Sequence, residues 1–302
     1  MLKTSENVLE RAKILSAKKK PLVAVAGAED GDVLQALTDA HRLGIVGAIL
    51  VGNAAKIRER LGEFDLPKDA FEIVDANGVK ECVTRAVELC SAGRAQILMK
   101  GKVPTGDLMK ALLNPKAGLR QGKLLSHCAV LEIEGQKKLI SLTDGGVVTA
   151  PDFQQKVNLV ENAVRVNHYL GITEPKVAIL GLMNEPDPEF PTTIEAAAVA
   201  RACYLRGLTP YVEGPLTLDA ALMGKPEWKG KSVVAGDADI VVFNNIEEAN
   251  ICVKAITNLR TATFMGVIMG AKVPLSLVSR ADTPRNKLMS LALASVIAGE
   301  EQ

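Results

Sequence analysis

Aromatic side chains make up only 3% of the 302 residues, with a single tryptophan, Trp228. A core without aromatics must be filled by Val, Ile, Leu and Ala, and at 48% hydrophobic the chain has enough of them for a sizeable interior. Aliphatic filling of this kind is typical of parallel sheets covered by helices. Charge of one sign is missing too: 36 Lys and Arg stand against 35 Asp and Glu, a net of +1. With no basic block and few aromatics, the usual footprint of a nucleic-acid binder is absent. No apolar run approaches the ~18–20 residues of a membrane span. Residues 1–20 are charged and hold no apolar signal region. The five cysteines (Cys82, Cys90, Cys128, Cys203 and Cys252) form no CxxC and no Cys/His zinc spacing. They read as reduced core residues of a cytoplasmic protein. GxSxG, HExxH and a GxGxxG after a strand are all missing, which removes the common signatures of serine hydrolases, zinc peptidases and dinucleotide binders.

What is present is an alternation. Short apolar runs at 22–26, 47–51, 71–74, 96–99, 176–180, 240–243, 264–269 and 275–278 read as strands. Between them lie amphipathic stretches with helical period, such as 31–43, 79–91, 153–170, 193–206 and 284–298. Strands interleaved with helices of this length predict βαβ units and a mostly parallel sheet. Two runs at 129–133 and 138–142 flank Glu134-Gly135-Gln136-Lys137 and predict an antiparallel hairpin. Pro151-Asp152 reads as a helix start. Stretches at 181–191 and 224–230 read as long loops. The length, with a hairpin near the middle, suggests two α/β lobes around a cleft. The first takes residues 1–122 and 283–302, the second 123–282. Ligands in such sheets gather beyond the carboxyl ends of the strands.

The loops at those ends hold the candidate chemistry. Lys100-Gly101-Lys102-Val103-Pro104-Thr105 leads from a strand into a helix. Glycines let the backbone approach a ligand, a helix start offers N–H groups to an anion, and the lysines add charge. The Gly101-to-Gly106 gap fits a P-loop, but Asp107 stands where the phosphate-binding lysine belongs, which argues against ATP. The alternative is a tight connection with solvated lysines. Ser279-Arg280-Ala281-Asp282-Thr283 sets a hydroxyl, a guanidinium and a carboxylate before the last helix. Arg grips phosphate or carboxylate through paired hydrogen bonds, while Asp282 or Thr283 also suits a helix cap. Asp144, before two glycines, reads as a base or a turn residue. Asp237 and Asp239 read as a metal pair or a turn, and Ser126-His127 as a weak Ser–His pair.

Taken in order, these blocks resemble the phosphate acetyl/butyryltransferase family, most of all its butyryl branch. The resemblance is carried by Leu98-Met99-Lys100-Gly101-Lys102 with Thr105 and Lys110, Gly118-Leu119-Arg120, Leu125-Ser126-His127, Leu142-Thr143-Asp144, Glu213-Gly214-Pro215-Leu216, Gly236-Asp237-Ala238-Asp239 and Ser279-Arg280-Ala281-Asp282. It spans about residues 20–298. It implies an α/β fold like the isocitrate/isopropylmalate dehydrogenases and a homodimer or larger homo-oligomer. The implied reaction is acyl-CoA plus phosphate to acyl phosphate plus CoA, with CoA as substrate and no metal or other cofactor. By the same resemblance Ser279 and Arg280 sit at the reacting centre. Lys100, Gly101, Lys102, Thr105, Ser126 and His127 hold phosphate or acyl phosphate, and Lys110 and Arg120 hold CoA. The family's acid aligns with Asn286, so Asp282 or Asp144 is the substitute base. Four departures are expected in loops: Gly145-Gly146-Val147-Val148-Thr149 replaces the usual Ala-Ala-Met-Asn-Ile, Glu213 replaces Asp, and Asn244-Asn245 and Asn184-Glu185 also differ from the family pattern. Three alternatives stand beside this reading: another acyl specificity such as acetyl, a metal-dependent dehydrogenase on a similar fold, and a non-catalytic paralogue that binds CoA or acyl phosphate.

Overall fold

A computed structural model describes residues 1–67, 69–224, 231–279 and 282–301. The chain divides into two compact units. One comprises Glu6–Lys123 and Met265–Gln302, the other Met1–Ser5 and Leu124–Phe264. In chain order the elements are α1 (Ser5–Lys18), β1 (Leu22–Ala26), α2 (Gly31–Arg42), β2 (Gly47–Gly52), α3 (Ala54–Leu61), β3 (Glu72–Asp75), α4 (Gly78–Ser91), β4 (Ile97–Lys100) and α5 (Thr105–Leu113). Then come β5 (Ser126–Ile133), β6 (Ile140–Thr143), α6 (Phe153–Tyr169), β7 (Val177–Leu180), α7 (Pro191–Leu205), β8 (Val212–Leu216), α8 (Leu218–Leu222), β9 (Ile240–Val242) and α9 (Ile246–Leu259). The chain returns to the first unit through β10 (Ala262–Met269), β11 (Leu275–Ser276) and α10 (Pro284–Glu300). No helix among the described residues is long and apolar enough to cross a membrane.

The first unit carries strands in the order β3-β2-β1-β4-β11, all parallel, with β10 antiparallel to β11. The chain steps outward from β1 to β2 and β3, then returns to place β4 on the other side of β1. The loops after β1 and β4 therefore leave in opposite directions, which is the switch point where such sheets bind ligands. Backbone contact is tight there. Lys102 N–H donates to Gly27 O at 2.6 Å, and Gly101 N–H to Ala26 O at 3.0 Å. A Cβ on Gly101 would lie 2.2 Å from Gly27 O, so only glycine fits. Gly27 itself has φ +75°, the left-handed region.

Local signals explain the helices. Asp30 caps α2 by accepting Val33 N–H, and Val33, Leu34, Ala36, Leu37 and Ala40 form its buried stripe. Helix α10 opens with Thr283 as cap and Pro284 in its first turn. From Lys287 to Ala298 it is buried on every side, as expected of a helix apolar all round.

In the second unit the order is β5-β6-β9-β7-β8. The predicted hairpin is there: β5 and β6 pair antiparallel, and the remaining pairs are parallel. Asp152 and Gln155 form a reciprocal capping box at the start of α6. The peptides Thr143–Asp144 and Gly214–Pro215 are cis. Two differences from the sequence reading are physical. β5 starts at Ser126 rather than 129, because Ser126 and His127 are buried polar residues that break the apolar period. Residues 265–282 read as part of the second lobe, yet the β10–β11 hairpin brings β11 beside β4, inside the first unit. Residues 225–230 of the expected 224–230 loop lie outside the described residues.

Four cysteines are buried, and burial pushes the Cys90, Cys128 and Cys203 thiols up to about 12. Cys252, expected in the core, is half-buried on α9. Asp237 and Asp239 lie at the amino end of β9 and are occupied by lysines. Lys138 Nζ is 2.6 Å from Asp239 and 2.8 Å from Asp237, and Lys176 Nζ is 2.5 Å from Asp237. Asp239 also accepts the Lys176 N–H at 2.8 Å. The pair is a turn held by cations.

Two outcomes follow. Gly101→Ala forces a carbon into backbone and should cost about 3 kcal/mol, the upper part of the overpacking range. Urea denaturation reads this as a lower midpoint at unchanged slope; a change under ~0.5 kcal/mol, a typical surface effect, would mean the loops do not meet this way. Burial raises the Asp237 carboxyl, but hydrogen bonds and charge from Lys138 and Lys176 outweigh it and hold the pKa below its ordinary value. Its contribution is thus complete above the unfolded carboxylate pKa and lost as pH falls through the folded one. Asp237→Asn should lower stability at neutral pH and flatten that part of the acid limb; an identical limb in both proteins would remove this pairing from the acid response.

Candidate active site

The carboxyl edge of the first unit's parallel strands brings three loops side by side. Register fixes their order: Ala26 of β1 pairs with Lys100 of β4, and Met99 pairs with Ser276 of β11. The loops 27–30, 101–104 and 277–283 thus leave adjacent strands at one edge.

Lys100 ends β4 with its side chain only 7% exposed, and its Nζ lies 3.5 Å from Gly101 O. Lys102 is exposed, and Val103 turns inward at 1% exposure. Pro104 occupies the cap position of α5 without a side-chain hydrogen bond, and half-buried Thr105 opens the helix. The first-turn N–H groups of α5 therefore carry no side-chain cap, beside two lysines. That arrangement suits an anion.

The loop before α10 is held by a carboxylate. Asp282 accepts the Ser279 N–H at 2.7 Å and the Asn286 amide at 3.2 Å, and its own N–H donates to Ser279 O at 3.2 Å. Ser279 is exposed at the tip of this turn. Arg280 and Ala281 lie outside the described residues. Thr283 is the helix cap, accepting Asn286 N–H at 3.2 Å, so Asp282 is left for other work. Beneath the turn, Lys287 is 2% exposed; it donates to Asp282 O and lies 3.6 Å from Asp32. This lysine ties the starts of α10 and α2 together. Sequence reasoning missed it, although a lysine opening the run Leu288-Met289-Ser290-Leu291-Ala292 is a visible anomaly.

Asp144, Ser126 and His127 belong to the second unit, Lys110 and Arg120 to the first. Asp144, in the second unit, is 2% exposed and accepts three backbone N–H groups: His127 at 2.9 Å, Gly146 at 2.7 Å and Val147 at 2.8 Å. A carboxylate so engaged fixes a loop. His127 is 5% exposed and stacks on Phe264, while Ser126 Oγ is 2.8 Å from the Asn162 amide. A second unnoticed lysine, Lys156, is 3% exposed and pairs with Glu195 at 2.6 Å. Lys110 is exposed on α5. The backbone of Arg120 bridges to Ala271 in the β10–β11 turn, at the end of the β4–β11 ladder away from Ser279.

An edge that offers lysines, an uncapped helix start and a serine turn is equipped for a phosphate-bearing substrate, and comparison with known proteins agrees. A family profile described as "Phosphate acetyl/butaryl transferase" matches residues 3–83 and 77–295. The phosphate butyryltransferase of Clostridium acetobutylicum is 38% identical over 306 aligned residues, covering all of both chains. The phosphate acetyltransferase of Thermotoga maritima is 36% identical, covering 96% of this chain and 99% of that protein. A crystal structure of a branched-chain phosphotransacylase from Enterococcus faecalis V583 superposes with a TM-score of 0.81 at 29% identity, covering 92% of this chain and 99% of the other. The chain belongs to the phosphate acetyl/butyryl transferase family of acyltransferases.

Proposed function

We propose that this protein reversibly transfers a short acyl group, butyryl or of similar size, between CoA and inorganic phosphate. The observation that carries the reading is the register that sets the Lys100–Thr105 loop beside the Ser279–Asp282 turn. Phosphate binds at the amino end of α5, met by Lys100, Lys102, the Gly101 backbone and Thr105, with Arg280 as a paired donor. A phosphate oxygen attacks the thioester carbonyl carbon. The carbonyl oxygen gains charge and is stabilised by Ser279 and a neighbouring cation. The intermediate collapses: the C–S bond breaks, a C–O bond to phosphate remains, and sulfur leaves as thiolate that takes a proton. In reverse, CoA must lose that proton, since a thiol with pKa near ~8.5 is mostly protonated at neutral pH. Asp282 is the base in this scheme, because its carboxylate lies within the Ser279 turn. Asp144 accepts three backbone N–H groups and acts by ordering its loop. No covalent acyl-enzyme is needed.

The finer parts of the family resemblance belong to this proposal: two lobes of the isocitrate/isopropylmalate dehydrogenase kind, a homodimer or larger homo-oligomer, and a cytoplasmic location. Lys110 and Arg120 remain the CoA contacts of this proposal.

The decisive assay is thiol release from acetyl-, propionyl-, butyryl- and isobutyryl-CoA. Release should require phosphate, ignore EDTA and rank the chains; no release from folded protein would overturn the reading. Ser279→Ala should lower kcat/KM by about 10²–10³, the usual loss of one oxyanion donor. Arg280→Ala should raise the KM for phosphate, and Arg280→Lys should not restore it, because a point charge cannot replace a planar fork. Asp282→Asn keeps acceptor and shape but removes the base. It should slow thiol attack on acyl phosphate by about 10²–10⁴ and alter the pH–rate profile, whereas an unchanged profile would leave Asp282 a turn residue only.

A further inference from the structure

The turn that carries Ser279 begins where the β10–β11 ladder stops. That ladder pairs Val267 with Ser276 and Ile268 with Leu275. Next in register come Gly266 and Leu277, and half of their hydrogen bonding is present: Leu277 N–H donates to Gly266 O at 3.1 Å. In an antiparallel ladder two residues so placed exchange both N–H···O bonds. Here the Gly266 N–H turns instead to the side chain of Ser290 on α10, whose Oγ accepts it at 2.9 Å. Ser290 is buried, and its own hydroxyl proton is committed to Asn286 O, one helical turn earlier, at 2.8 Å. A hydroxyl has one proton and two lone pairs, so Ser290 meets the strand as an acceptor. A buried N–H must find an acceptor, and a helix hydroxyl has taken the place of the Leu277 carbonyl.

The effect is to end the sheet early. A complete Gly266–Leu277 pair would hold the Leu277 carbonyl against β10 and carry the chain onward as strand. With that bond diverted, the chain departs after Leu277 and reaches Ser279 two residues later. The start of α10 receives it there. The Asp282 carboxylate accepts the Ser279 N–H at 2.7 Å and the Asn286 amide at 3.2 Å. Asn286 and Ser290, four apart, lie one above the other on the helix. The bonds thus form a closed ring: Ser279 to Asp282, Asn286, Ser290, Gly266 and back to Leu277.

We infer that Ser290 is a positioning residue for the reaction: by taking the Gly266 N–H it peels the chain from β10 and sets the place of the Ser279 hydroxyl. The inference rests on the reading above, in which Ser279 stabilises the oxyanion.

Ser290→Ala removes the diverting acceptor and keeps a good helix former. The Gly266 N–H should then pair with Leu277 O, which lengthens the ladder and shifts Ser279. A misplacement near 1 Å can cost about 10²-fold, so kcat should fall by about 10–10²-fold. The KM for phosphate, set by the Lys100–Thr105 loop, should stay the same. Because Ser290 acts through Ser279, the loss should largely vanish in a Ser279→Ala background, as residues that act together are not additive. A merely structural role would instead add its cost in both backgrounds. Equal losses in the two, or a kcat that Ser290→Ala leaves unchanged, would overturn the role of Ser290 and leave the acyltransferase intact. A crystal structure of Ser290→Ala reads the same question without turnover. The Gly266 nitrogen within about 3.2 Å of Leu277 O, a normal hydrogen bond, would support the peeling; a ladder that still ends where it does now would overturn it. A wild type that turns over no acyl-CoA would sink the acyltransferase reading, and the role of Ser290 with it.

Discussion

The contact on which the first unit's chemistry depends is between two stretches of bare backbone. Gly101 and Gly27 approach so closely that one methyl group would strike a carbonyl oxygen. That approach lets the Lys102 N–H close onto the loop after β1. It thereby sets where Lys100, Lys102 and the start of α5 stand. The glycines commonly expected to make room for an anion here first make room for each other. The anion-binding character of the loop follows from this packing, because the lysines and the helix start are aimed by a joint with little freedom.

Carboxylates do much of the remaining organisation, and their partners are mostly backbone N–H groups. Asp30 caps α2, Asp144 gathers three N–H groups, Asp282 holds the Ser279 turn and Glu29 anchors Asn53. Each converts a flexible connection into a defined one, since an ionised acceptor makes a stronger hydrogen bond than a neutral one. Asp282 is therefore asked to do two things in the proposed mechanism, shaping the turn and accepting a proton. The neighbouring Asn286 amide, which donates to it, supplies a partner that an acid at position 286 would not.

Much of this was legible in the sequence where the signal is local. Asp152 with Gln155, Pro284 after Thr283, and the glycine-flanked turn between β5 and β6 announce their elements within a few residues. The alternation of apolar runs and amphipathic stretches gave the α/β class, and the lysine–glycine loop after β4 was visible as a candidate anion site. What stayed hidden is non-local. The role of Asp144 depends on N–H groups at 127, 146 and 147, and no spacing rule unites them. The burial of Lys287 and Lys156 depends on which faces pack together. The place of β11 beside β4 depends on a hairpin whose second strand is two residues long. The bridge between Arg120 and Ala271 is non-local in the same way.

The discontinuity of the first unit also shapes how the molecule is made. Its sheet needs β11, and its interior needs the fully buried α10, yet both are translated after the whole of residues 124–264. Leu98 must wait for Leu275, its partner across more than half the chain. During synthesis β1 to β4 emerge with one sheet edge unpaired and one apolar face uncovered, while the second unit can complete its own core in the interval. Long-range closure of this kind slows folding and leaves sticky surface exposed. The binding edge is thus completed only when β10, β11 and α10, the last segments of the chain, have joined the strands made first.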